Sequence, residues 1–364
     1  MDSRKVRSSA PIPVSSFRSK LLAWYDAHAR DLPWREDRDP YRVWVSEIML
    51  QQTRVAAVIE YYRKFLQRFP TVQKLASARE SSVLAAWSGL GYYRRARMLQ
   101  AAAKMIAKER DGKFPDTASA LRDLPGVGRY TAAAIASIAF GEAVAVVDGN
   151  VERVLERVSG ANLSNEKAWQ AAEELLDRER PGDFNQAMME LGATVCTPRA
   201  PLCLACPVVE LCATRGERAG SGKSTRQRKR EIHYALDWRD GSVFLVRRAD
   251  DLRLMPGMWE LPEIEAGVPQ VKRKQISRFD RNDKVEAARN EKVEGARNDK
   301  NPLFTVRHSI TVTDYTVRVW QMPAPAAVEG SWVALEKAQR LALTGLARKI
   351  LQRASNIRDN VSII

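Results

Sequence analysis

The chain has 364 residues, of which 45% are hydrophobic and 28% charged. At roughly 100–200 residues per domain this suits two folded domains and a linker, and the apolar content excludes a disordered polar polymer. Lys and Arg number 59 against 44 acidic residues, a net charge of +15 that favours a polyanionic partner, nucleic acid ahead of an anionic membrane.

No stretch reaches the ~20 apolar residues of a membrane helix; the longest candidate, residues 131–147, is interrupted by Gly141 and Glu142. The N-terminal stretch MDSRKVRSSAPIPVSS lacks the apolar core of a signal peptide, so a cytoplasmic location is expected. From residue 17 to 195 the chain is rich in Ala, Leu, Met and Arg, with apolar residues recurring at threes and fours, which predicts an all-helical first domain over 15–214. One helix start is explicit: Asp39 as N-cap, Pro40 at the first position, then Tyr41, Trp44, Val45 and Ile48 on one stripe. Glu47 lies on that helix about 120° from the centre of the stripe. Trp44 and Trp87 read as core.

The segment Leu124-Pro125-Gly126-Val127-Gly128-Arg129-Tyr130 precedes a helical run. Gly126 and Gly128 permit a tight turn whose exposed amides, beside a helix N-terminus, can grip phosphate without reading sequence. Such turns are also ordinary punctuation between helices. Twenty residues past Gly128, Asp148 follows an apolar run and precedes a glycine, where an aspartate also suits the cap of a following helix. Arg129 and Arg199 are candidate phosphate contacts.

The four cysteines are spaced C-x6-C-x2-C-x5-C, as Cys196, Cys203, Cys206 and Cys212. They lie too close together to staple a chain of this length and read as one site over residues 196–212. Four thiolates in a short loop suit a 4Fe–4S cluster; structural zinc is the rival, but it usually takes two short Cys knuckles and only one is present. Residues 215–231 form a basic, Gly- and Ser-rich linker. Its GSGKST is no phosphate loop, because Glu217 stands where that motif needs a glycine. Beyond it, residues 233–248 read as two strands around an Asp240-Gly241 turn, 304–320 as further strands and 335–353 as a closing helix, an α+β domain over 232–355. Within it, residues 281–300 are a charged near-repeat, an exposed insertion with no assigned function.

The hairpin over residues 121–140, the downstream Asp148 and the four-cysteine loop, in this order, resemble the helix-hairpin-helix superfamily of base-excision DNA glycosylases. VSEIMLQQT (residues 45–53), LPWR (32–35) and GLGYYRRAR (89–97) resemble its MutY family of adenine DNA glycosylases. The likeness is dense over residues 17–212. It is looser beyond, where VFLVRRADDLRLMPGMWELP, VRHSIT and WVALEKAQRLALTGLARKIL resemble a Nudix-like domain. The fold implied is multidomain, an all-α helix-hairpin-helix domain with an iron–sulfur loop followed by an α+β Nudix-like domain.

The resemblance implies excision of adenine opposite 8-oxoguanine or guanine in duplex DNA, by a monomer with no membrane association. Glu47 would protonate the adenine, Asp148 would stabilise the cationic sugar or bond to it, and Tyr130 and Asn150 would support them by hydrogen bonding. Gln52 and Tyr92 would wedge into the base stack, while Trp34, Arg35 and Gln186 would meet the extruded adenine. The Nudix-like domain would read 8-oxoguanine, with Thr311 the surviving hydroxyl of a tip occupied here by Ile310-Thr311-Val312; its catalytic box is missing after Gly257, so no nucleotide hydrolysis is expected. His308 is as readily structural as contacting. Endonuclease III carries a nucleophilic lysine where this chain has Tyr130, so the reaction implied is monofunctional. Two alternatives stay open, a bifunctional endonuclease III-like glycosylase/lyase for oxidised pyrimidines and a non-catalytic cluster-bearing DNA-binding protein.

Overall fold

The computed structural model describes residues 12–163, 165–215, 228–252, 255–265, 301–310, 313–338 and 340–361. The chain divides between residues 223 and 224 into two units. The expected insertion at 281–300 and Thr311 lie outside the described residues.

The first unit is helical, as the periodicity predicts. Its helices are α1 (Val14–His28), α2 (Pro40–Leu50), α3 (Val55–Arg68), α4 (Val72–Ser77), α5 (Glu80–Trp87), α6 (Arg94–Glu109), α7 (Ala118–Leu121), α8 (Arg129–Phe140), α9 (Gly149–Ser159), α10 (Asn165–Leu175) and α11 (Pro181–Thr194). Asp39 caps α2 by accepting from the Arg42 amide, with Pro40 at the first position. Helix α8 is buried from Thr131 through Ile138. Its alanines let α2, α7 and α11 pack against it, because short side chains allow close approach of backbones. Beside it, Phe17, Leu21, Val154, Leu155, Phe184 and Leu191 join α1, α9 and α11 in one core cluster. Trp44 and Trp87 are fully buried.

Two glycines in α11 set how closely that helix approaches its neighbours. A Cβ on Gly182 would lie 2.6 Å from the Ser137 carbonyl oxygen and 2.9 Å from Ile138 Cα, both backbone atoms of α8. Gly182→Ala must therefore separate two helices and should destabilise the protein by about 1–3 kcal/mol, measured by denaturant unfolding. Gly192 meets Asn150 in the same way.

The second unit holds β1 (Arg228–Leu236), β2 (Trp238–Arg239), β3 (Ser242–Arg247), β4 (Trp259–Glu260), β5 (Glu263–Ile264), β6 (Phe304–Ile310), β7 (Thr313–Gln321) and β8 (Ser331–Ala334), with α12 (Leu335–Ala338) and α13 (Gly345–Val361). One sheet runs β5-β1-β7-β6; the other runs β2-β3-β4 with β8 paired to β3. Strands β1 and β7 are parallel, whereas β6 and β7 form an antiparallel pair. The Asp240-Gly241 turn is present, both residues with positive φ.

Two expectations are corrected. Strand β1 begins at Arg228, paired with Thr313, so the basic end of the expected linker is sheet. The single closing helix is two, because residues 342–344 give their backbone to β4: the Trp259 amide donates to the Ala342 carbonyl and the Thr344 amide to the Trp259 carbonyl, each at 2.9 Å. Thr344 Oγ1 then caps α13 by accepting from the Ala347 amide. No helix among the described residues is long and apolar enough to cross a membrane.

Candidate active site

Helix α2 is buried from Val43 through Met49, so Glu47 is not on a wet face: it is 6% exposed. It faces a cavity of about 480 Å³. Burial pushes its carboxyl up to about 7, with the Asp148 carboxylate adding to the rise and the Tyr130 hydroxyl and Arg35 opposing it. Oxygen Oε2 of Glu47 is buried with no hydrogen-bond partner. A buried carboxyl oxygen in that state takes its partner from the cavity, water or ligand.

Asp148 lines the same cavity as the N-cap of α9. Its Oδ1 accepts from the amides of Asn150 at 2.9 Å and Val151 at 2.8 Å, and its Oδ2 from Asn150 Nδ2 at 2.9 Å. Capping and cavity lining are therefore one role, with a carboxylate oriented by the helix N-terminus it terminates. Arg153 Nη2 fixes the Asn150 amide through Oδ1 at 2.8 Å, and Arg153 Nε donates to the Cys196 carbonyl.

Trp34, Arg35, Gln52, Tyr130, Asn150 and Gln186 line this cavity with the two acids. The Tyr130 hydroxyl lies 3.3 Å from Met189 Sδ, and burial drives its ionisation well above the usual range, so it is a neutral donor. Arg35 donates to Gln186 Oε1 at 3.2 Å and to Glu190 Oε2 at 2.9 Å. Glu190 is 1% exposed and also takes two bonds from the Arg30 guanidinium and one from its amide, which with Arg35 hold it below the usual carboxylate range against the cost of burial. Nothing local in the sequence marks Glu190 or Arg30, because the pair spans 160 positions.

Other expected residues lie apart from the cavity lining. Tyr92 is 42% exposed, with φ of 49°. In the hairpin turn only Gly126 needs to be glycine: its φ is 77° and a Cβ there would strike Met98 Cβ at 2.6 Å. Gly128 has ordinary extended backbone and serves as the N-cap of α8. Arg129 is exposed, pairs with Glu166 at 2.8 Å and covers the Trp169 ring. Arg199 is exposed.

The four cysteines are free thiols around one shared cavity, joined by Arg157 and Arg215. Arg157 donates to Cys196 Sγ at 3.3 Å and to the Thr197 and Pro198 carbonyls. Among the described residues no group of three or more His, Cys, Asp or Glu is arranged to hold a single metal ion.

A carboxyl raised to about 7 and a second carboxyl oriented by a helix N-terminus, both lining one cavity, can give a proton to a leaving group while steadying positive charge opposite it. The chain is similar to known proteins. Residues 45–178 match the HhH-GPD superfamily of base excision DNA repair proteins. The adenine DNA glycosylase of Buchnera aphidicola subsp. Schizaphis graminum is 32% identical over 285 residues, covering 74% of this chain and 82% of that protein. The chain belongs to the adenine DNA glycosylase family. The human family member is 55% identical over 217 residues, 56% of this chain but 40% of the human protein, so the chain spans less than half of that relative. Among solved structures, a thermostable thymine-DNA glycosylase is 34% identical with a TM-score of 0.52, over 55% of this chain and 94% of that one. The helical unit thus has a glycosylase fold, followed by a unit of helices and sheets.

Proposed function

We propose that the protein is a monofunctional glycosylase that flips adenine out of duplex DNA where it faces 8-oxoguanine or guanine, hydrolyses its N-glycosidic bond and leaves an abasic site. The observation that carries this reading is Glu47, a carboxyl buried on a helix and pushed up to about 7, across one cavity from an Asp148 held by three N–H donors. Adenine leaves poorly, so its ring must be protonated as the bond breaks, and the sugar becomes an oxocarbenium-like cation. Glu47 supplies the proton and then helps activate water; Asp148 stabilises the cation or bonds to it. Tyr130 and Asn150 hold the two acids in place. Trp34, Arg35 and Gln186, with Glu190 behind them, surround the extruded base, while Gln52 and Tyr92 fill the gap it leaves. Tyr130 offers no amine for a lyase step.

Cys196, Cys203, Cys206 and Cys212 would hold a 4Fe–4S cluster, whose four thiolate bonds would cross-link the loop next to α9. The donor set is all sulfur, the thiols share one cavity, and Arg157 reaches Cys196 Sγ. The second unit would serve as a Nudix-like reader of 8-oxoguanine, and the working partner is duplex DNA bound by a monomer in the cytoplasm. The test is excision on duplexes with adenine opposite 8-oxoguanine, guanine or cytosine, with and without alkali. Alkali-dependent breaks opposite 8-oxoguanine and guanine are expected, and breaks without alkali would establish the lyase instead. Iron and sulfide should co-purify with the chain; zinc in their place would overturn the cluster.

A further inference from the structure

Two residues lacking glycine's freedom hold left-handed backbone, Gln52 in the cavity lining with φ of 55° and the exposed Tyr92 with φ of 49°. Such a conformation costs a non-glycine residue of order 1 kcal/mol or more and persists only where its surroundings impose it. One guanidinium bonds to both turns. Arg95 Nη1 donates to the carbonyls of Ile48 at 2.9 Å, Met49 at 3.0 Å and Gln51, while Nη2 donates to Thr53 Oγ1 at 3.2 Å and to the carbonyls of Leu90 at 3.3 Å and Gly91 at 3.2 Å. The Gln51 and Gly91 carbonyls belong to the peptide planes that precede Gln52 and Tyr92, so holding them constrains the φ of both residues, with Trp87 Nε1 a second donor to the Gly91 carbonyl at 3.2 Å. The Trp87 and Tyr92 rings lie 5.5 Å and 5.4 Å from the guanidinium carbon.

Helix stability does not explain an arginine there. Arg95 lies in the first turn of α6, where a cation opposes the helix dipole. Desolvation lowers its proton affinity to about 10, which still leaves it charged at neutral pH. Lysine could not replace it, because a single ammonium cannot span two turns as a planar fork does.

We propose that Arg95 is a positioning residue that locks the Gln52 and Tyr92 turns into one two-pronged probe for prising a base out of the stack. The inference rests on the glycosylase reading above and adds to it a residue that touches no substrate. By holding the ends of both loops before DNA arrives, Arg95 removes the ordering cost that two independent wedges would each meet on binding.

The test uses the full chain and a duplex carrying 2-aminopurine at the adenine position, whose fluorescence reports flipping, beside single-turnover excision of adenine opposite 8-oxoguanine. Arg95→Lys should lower the flipping equilibrium about tenfold to a hundredfold, as loss of charge-assisted bonds implies, and lower excision by the same factor. The pH midpoint of excision should stay near that of the wild type, because Glu47 is untouched. In a chain already carrying Gln52→Ala and Tyr92→Ala, adding Arg95→Lys should cost less than about twofold. The same cost in both backgrounds, or wild-type flipping by Arg95→Lys, overturns the inference. If Arg95→Lys does not fold, Thr53→Val decides: it removes one acceptor for Arg95 at a half-buried position and should reduce flipping about threefold to tenfold, and unchanged flipping overturns the inference. A wild-type chain that neither flips nor excises overturns the glycosylase reading together with it, whereas a wild type that excises beside an unaffected Arg95→Lys overturns the inference alone.

Discussion

Glu47→Gln is expected to lose adenine excision by about 10²–10⁴-fold or more while binding A:8-oxoguanine duplex as the wild type does, because it removes the proposed proton donor and leaves the shape of the cavity. The pH dependence follows from the direction of the shift. In the proposed reaction the acid must carry its proton to act, and its pKa is raised to about 7. The excision step should be flat below pH 7 and fall about tenfold per unit well above it. A profile that rises through pH 7 would mean that Glu47 acts only as a base.

Stability should move the other way in the variant. A carboxyl raised from 4.5 to about 7 on folding binds its proton more tightly in the native state. Its contribution is therefore fully present below pH 4.5 and lost as pH rises through 7, a swing of about 3 kcal/mol at 1.36 kcal/mol per unit. Glu47→Gln removes the buried charge, so it should unfold at higher temperature than the wild type at pH 8, with little gain at pH 5. A variant that is inactive and also destabilised at pH 8 would show that Glu47 is held by partners other than those described, and that its role is structural.

The difference between what local pattern reveals and what it hides is plain at this site. The start of α2 was legible because capping is a local rule: Asp39, Pro40 and the stripe that follows are enough. The burial of Glu47 was not, since the apolar stripe covers one side only. The other side is closed by α8 and by residues of α11, which no periodicity in α2 can report. Motif resemblance supplied Glu47, Tyr130, Asp148, Asn150 and Gln186 as one constellation, and the fold gathers them around one cavity. Glu190 and Arg95 escaped for a shared reason. Each reads locally as a charged residue on a solvated helix face, yet Glu190 is buried and Arg95 half-buried by partners far away in sequence, Arg30 and Arg35 for one and the Ile48–Thr53 segment for the other. The broken closing helix has the same origin, because a tertiary pairing with Trp259 outweighs the helical preference of residues 340–344.

Asp148→Asn isolates charge from architecture. Asparagine is as good an N-cap as aspartate, so its oxygen can keep the bonds from the Asn150 and Val151 amides. What it cannot keep is the anion, or an acceptor for Asn150 Nδ2, which would then face a second NH₂ group. Asn150 cannot simply turn over, because Arg153 holds its Oδ1. The stability cost should be about 1 kcal/mol, one strained hydrogen bond. The rate cost should be about 10²–10³-fold or more, the value of one preorganised group facing a developing charge. A second consequence ties the two acids together. The Asp148 charge contributes to the rise at Glu47, so neutralising it should move the midpoint of the residual activity below that of the wild type. Asp148→Ala, which loses the cap as well, should fall further in stability without falling much further in rate. Near-wild-type excision by Asp148→Asn would leave the sugar cation without its counter-charge and remove the physical basis for pairing these two carboxyls.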